Sequence, residues 1–137
     1  MKPTLAPGLT TTREFAVDRE RTIDFMGEEA RVYATPMLVR DIEITCRELL
    51  LAHLDAGEDS VGTRVEIDHL AATLLGMKVA ITATLAELKG RAAVFDVSAT
   101  DGQDTICRGR HARFIANVGQ VKQRLLQKRA KAFAKPA

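Results

Sequence analysis

Aromatic side chains are scarce in this 137-residue chain, at 4% of the total, with no tryptophan and a single tyrosine. None of them interleaves with the basic residues to form the stacking platform that single strands require, which weighs against a nucleic-acid partner. Cysteine is scarce as well. Cys46 and Cys107 stand far apart in the chain, with no Cys or His in ligand spacing beside either. That count excludes a disulfide framework and a metal finger, and both residues read as small buried apolar groups. His53, His69 and His111 form neither an HxxxH nor an HExxH pattern, so no metal site is expected. No apolar run approaches the roughly 18 residues that a bilayer span requires. Residues 1–12 lack the apolar segment of a secretory signal, and the expected address is the cytoplasm.

The composition, 46% apolar and 28% charged, is that of an ordinary folded domain. One domain over residues 1–137 is expected, with residues 1–12 as a loose arm because Pro3, Pro7 and Gly8 interrupt any period. The stretch from Glu14 to Phe25 is strand-like, anchored by Phe15, Val17, Ile23 and Phe25, and residues 27–29 read as a loop. A helix is predicted from about Pro36 to Leu54, with Thr35 capping its first turn and Gly57 beyond its end. Val61, Thr63, Val65, Ile67 and His69 alternate with Gly62, Arg64, Glu66 and Asp68 in the period-2 pattern of a half-buried strand. Further strands are expected at 78–88, 91–100 and 104–115, joined by turns at Lys89-Gly90 and Asp101-Gly102. A second helix, rich in Lys and Arg, is expected from Val118 to Phe133. One long helix and about five antiparallel strands make an α+β domain, the helix central and wrapped by a curved sheet.

Two polar residues interrupt these apolar series. Glu43 shares a helical stripe with Val39, Cys46 and Leu50. A carboxylate there either reaches water at the rim or is buried at a cost that calls for partners or a task. His69 continues the inward face of its strand, as a hydrogen-bonded core histidine or as a functional one. A helix carboxylate and a strand imidazole aimed at one interior suit a general base and acid, and Thr35 adds a hydroxyl near the helix start.

At these residues the sequence resembles the fluoroacetyl-CoA thioesterase family, which has the hotdog fold. Tyr33-Ala34-Thr35-Pro36-Met37 with Glu43 eight residues past the Thr, and Ser60-Val61-Gly62-Thr63 followed by His69, carry the likeness. Ala71-Ala72-Thr73, Gly76, Val97-Ser98-Ala99, Asp101-Gly102, Gly109, His111 and Arg113 extend it, so that it runs from about Val32 to Arg113. The resemblance implies hydrolysis of an acyl-CoA thioester at the interface of a homodimer, with a dimer of dimers as the further assembly open to the fold. It implies Glu43 as nucleophile or as general base on water, His69 in proton transfer and carbonyl polarisation, and Thr35 as a hydrogen-bonding partner. It also implies that the Gly62 amide and the Arg113 guanidinium contact the acyl end. No cofactor is expected beyond the coenzyme A of the substrate. The fluoroacetyl-specific pattern has paired phenylalanines before its Thr, where this chain has Met26-Gly27-Glu28-Glu29 and only Phe25 nearby. A generic short or medium acyl group follows.

Two rival readings stand beside this one. A non-catalytic acyl-CoA-binding module would keep the pocket, but it has no use for a carboxylate beside the acyl carbonyl. A hotdog hydratase would carry an Asp–His pair around the helix start, and no His lies between Thr35 and Ile44. Eight residues of straight helix rise about 12 Å. Thr35 and Glu43 therefore meet only if the chain before Met37 folds back or if two subunits share the site. Finally, no acidic residue follows Asp104, so that the rest of the chain carries +9 and the part before it −7, within a total of +2. This basic end reads as a solvated helix face or as a docking surface for coenzyme A phosphates.

Overall fold

The computed structural model describes residues 1–136. In chain order the elements are β1 (Thr10–Ala16), β2 (Thr22–Ile23), β3 (Val32–Tyr33), α1 (Thr35–Leu51), β4 (Glu58–His69), β5 (Lys78–Lys89), β6 (Ala92–Thr100), β7 (Thr105–Asn117) and α2 (Val118–Ala132). Five strands form one antiparallel sheet in the order β1-β5-β6-β7-β4, and β2 and β3 pair separately. The α+β expectation of a long helix on a sheet of about five strands, followed by a C-terminal helix, is met.

α1 packs on one face of the sheet because Leu38, Ile42, Cys46 and Leu50 recur every four residues and are all fully buried. They meet Val79, Ile81, Ala83 and Leu85 of β5, Phe95 and Val97 of β6, and Cys107 and Ile115 of β7 in one core. Each fully buried Leu or Ile stabilises this packing by about 2 kcal/mol. Both cysteines lie inside it, and burial pushes their thiols up to about 12 for Cys46 and about 11 for Cys107. Gly109 lets β7 run against β4, since a Cβ there would overlap the backbone of Glu66 and Ile67. Among the described residues no helix is long and apolar enough to cross a membrane.

Several sequence expectations are corrected. Residues 1–12 are not a loose arm: the Lys2 amide donates to the His53 carbonyl, Leu5 is buried in the core, and Thr10–Thr12 already belong to β1. The strand expected over 14–25 is two pieces. Asp18 caps a short 3-10 turn after β1 by accepting from the Arg21 amide, and Phe25 is 85% exposed. The apolar spacing was right for β1, but the charged middle holds a turn. α1 ends at Leu51, since the Ala52 amide donates back to the Glu48 carbonyl and the His53 amide to that of Leu50.

β4 also departs from simple alternation. A β-bulge between Gly62 and Arg64 inserts Thr63 as an extra residue. One extra residue reverses the facing of every side chain beyond it. Ser60 is therefore buried and Gly62 faces α1 on one side of the bulge, while Ile67 and His69 are half-buried on the other. Val61, expected inside, is 50% exposed.

Candidate active site

The residues singled out in the sequence gather into two clusters along α1. The first lies at the helix start. Thr35 is the first residue of α1, whose N-cap is Ala34, so its hydroxyl does not cap the helix. It instead shares a 2.7 Å hydrogen bond with Nδ1 of His69, brought there by the end of β4. Tyr33 meets the imidazole edge-on, with ring centroids 6.5 Å apart. His69 Nε2 is buried and has no hydrogen-bond partner within the chain. Burial lowers the His69 pKa and keeps the ring neutral near neutral pH. A groove of about 320 Å³ opens here, lined by Tyr33, Thr35, His69, Leu70, Ala71 and Ala72, among others.

The second cluster lies at the middle of α1. Glu43 is neither in the core nor free in solvent: its side chain is 42% exposed, and Oε1 lies 3.5 Å from Arg113 Nη1 and 4.0 Å from His111 Nε2. Gly62 is what makes room, since a Cβ at that position would overlap Glu43 Oε1. Arg113 is almost fully buried and held by Ser60: Nε donates to the Ser60 hydroxyl at 2.7 Å and Nη2 to the Ser60 carbonyl at 2.8 Å. Burial lowers the Arg113 pKa while Glu43 opposes the shift. His111 accepts from Arg113 Nη1 at 3.1 Å and donates from Nδ1 to the Arg64 carbonyl at 2.8 Å.

Within one chain the two clusters do not meet. Thr35 and Glu43 lie in the same regular helix, which sets them about 12 Å apart. The fold-back that would have joined them is absent. Thr35 is hydrogen-bonded to His69, and Glu43 lies against Gly62 and Arg113.

A third polar group on α1 was missed by the sequence reading. Asp41 is completely buried. Arg21 donates to it from Nε at 2.9 Å and from Nη2 at 3.1 Å, and the Tyr33 hydroxyl donates to Oδ2. These bonds raise the Arg21 pKa, and burial followed by Asp41 raises that of Tyr33. The network fastens the segment before β2 and the Tyr33 ring, and thereby the wall of the His69 cluster, to the helix. The one available signal was an acid directly before Ile42, four residues ahead of Thr45, on the face that carries Leu38. Ser60 and His111 were likewise not assigned roles, because their function depends on Arg113 across two strands. No group of three or more His, Cys, Asp or Glu suited to a metal ion occurs among the described residues.

Residues 17–119 match the family of fluoroacetyl-CoA-specific thioesterases. The fluoroacetyl-CoA thioesterase of Streptantibioticus cattleyicolor is 32% identical over 135 residues, spanning 93% of this chain and 97% of that protein. A solved structure of a fluoroacetyl-CoA thioesterase superposes with a TM-score of 0.83 at 31% identity, covering 90% of this chain and 97% of the other. A hot-dog-like protein from Thermanaerovibrio acidaminovorans shares the fold, with a TM-score of 0.82 at 22% identity over 98% of this chain and 96% of its own.

Proposed function

The chain belongs to the family of fluoroacetyl-CoA-specific thioesterases, thioester hydrolases of the hotdog fold, and we propose that it cleaves a short or medium acyl-CoA in a site shared by two subunits. The observation that carries this reading is the separation of the two clusters along α1, each incomplete in one chain.

The edge of the sheet supplies the means to join them. β4 is twelve residues long and has β7 on one side only, with Val61 and Val65 exposed. A long open edge is a template for pairing with a second copy. Antiparallel pairing of β4 with its own copy, about a two-fold axis between Val65 and Glu66, sets Gly62 of one subunit opposite His69 of the other. The Thr35–His69 pair of one subunit then faces the Glu43–Arg113 pair of its mate.

In that site the ionised Glu43 carboxylate attacks the acyl carbon or takes a proton from a water that does so. The C–O bond forms as the C–S bond breaks, and the departing thiolate needs a proton. His69, with Thr35 donating to Nδ1, carries its proton on Nε2 and is placed to polarise the carbonyl and to relay to the sulfur the proton that Glu43 removes from water, so that the ring ends neutral as it began. Gly62 and Arg113 border the acyl end. Phe25, the only aromatic in the loop before Thr35, is mostly in solvent and leaves that side open to acyl groups larger than a two-carbon unit.

Mixing subunits tests the arrangement. Glu43→Gln and His69→Ala should each lower kcat about 100-fold or more in a thiol-release assay. Mixed dimers of the two variants regain one intact site, so an equal mixture recovers about a quarter of the wild-type rate. A mixture as inactive as its parents overturns the shared site. Wild-type protein that binds acyl-CoA without turnover overturns hydrolysis in favour of a binding module.

A further inference from the structure

We propose that His111 is a positioning residue that holds the Arg113 guanidinium back from Glu43, leaving the carboxylate uncovered for the thioester. This rests on the reading of Glu43 as the reacting carboxylate.

An arginine facing a carboxylate normally closes into a two-pronged pair with N–O distances of about 2.7–2.9 Å. Here the closest approach, Nη1 to Oε1, is 3.5 Å. The guanidinium is held elsewhere on three nitrogens: Nε and Nη2 by the hydroxyl and carbonyl of Ser60, and Nη1 by His111 Nε2. Ser60 fixes the plane of the guanidinium from the β4 side. His111 takes up the nitrogen nearest the carboxylate. Glu43 consequently has a positive charge nearby without a tight N–H on Oε1 that would quench it as base or nucleophile.

His111 is built for this task. It is fully buried, and Nδ1 donates to the Arg64 carbonyl immediately after the bulge. That bond fixes the proton on Nδ1 and leaves the Nε2 lone pair for Arg113. An imidazolium could not serve, because both ring nitrogens would then be donors and Nε2 would confront the Arg113 N–H. The groups facing the ring are Glu43 from α1, Arg113 from its own strand and the Arg64 carbonyl from β4, while β6 pairs Phe95 opposite it. Burial, with the Arg113 charge behind it, lowers its pKa and keeps it neutral, against the opposing pull of the Arg64 carbonyl and, more weakly, of Glu43.

The test compares His111→Leu, which removes both ring functions, with His111→Gln, whose amide can still donate and accept. Both are assayed for kcat, KM and the pH profile of kcat/KM, with Glu43→Gln as reference. In a folded His111→Leu protein Arg113 closes on Glu43. We expect kcat to fall about tenfold with KM little changed, and the acid limb to move down by about half a pH unit or more. His111→Gln should restore the limb and most of kcat. A folded His111→Leu enzyme with wild-type kcat and limb overturns the proposal while Glu43→Gln remains inactive. An active Glu43→Gln protein instead overturns the underlying reading, and the proposal with it. If His111→Leu does not fold, nitrogen NMR of wild-type His111 decides. A neutral ring protonated on Nδ1 at the pH of full activity supports the proposal, and an imidazolium there overturns it.

Discussion

Asp41 and Glu43 are carboxylates two residues apart on one helix, and the fold uses them in opposite ways. Asp41 is shut inside the protein and saturated by Arg21 and Tyr33. Glu43 stands 42% exposed, with its nearest cation at 3.5 Å. A two-residue step turns the helix by about 200°, so the two acids address different surroundings. Their surroundings separate a structural acid from a chemical one. A buried carboxylate whose acceptor sites are all filled stabilises a fold, and one whose charge is supported but whose oxygens stay open can react.

Stability, turnover and pH dependence each test that contrast. Asp41→Ala leaves Arg21 and the buried Tyr33 hydroxyl without their acceptor, and should cost about 3–5 kcal/mol in chemical denaturation. Glu43→Ala should cost about 1 kcal/mol or less, because its ion pair is loose and partly in solvent. Equal losses would erase the distinction.

Gly62→Ala probes the open side alone. The added methyl group displaces the end of the Glu43 side chain rather than backbone, so the protein should fold normally while kcat falls about tenfold in steady-state assays. Unchanged turnover would show that the placement of Glu43 is not critical.

The smallest effect is on pH. Arg21 and Tyr33, which hold Asp41, have raised pKa values and keep their protons throughout the neutral range. His69 and His111 have pKa values lowered from 6.5 by burial. As pH falls through about 6.5 the unfolded chain takes up those protons first, so folding stability declines on acidification and levels off below the folded-state values. Urea midpoints followed from about pH 8 to pH 5 should fall, and the slope should flatten in a His69→Asn/His111→Gln double variant. A slope unchanged in that variant would assign the acid sensitivity elsewhere.

The reach of the sequence can be judged residue by residue. Leu38, Ile42, Cys46 and Leu50 announce α1 because helical spacing is a local property. The turns at Lys89-Gly90 and Asp101-Gly102 are equally local. Glu43 and His69 stand out as polar groups within apolar series. Asp41 escaped notice because its partners are Arg21 and Tyr33, the first twenty residues away and in another element. The facing of β4 was half right: Ile67 and His69 turn inward as the alternation requires, while Val61 and Val65 are exposed. A single inserted residue leaves composition and spacing untouched while reversing everything beyond it.

The order of residues alone determined most of the elements, the hotdog-like arrangement and the family, since periodicity, turn chemistry and motif spacing are written along the chain. Tertiary structure decided which acid is spent and which is open, because that depends on Arg113, Ser60, His111 and Gly62 arriving from two strands that are distant in sequence. It also set Thr35 and Glu43 a helix length of about 12 Å apart, a distance that no local pattern could bridge.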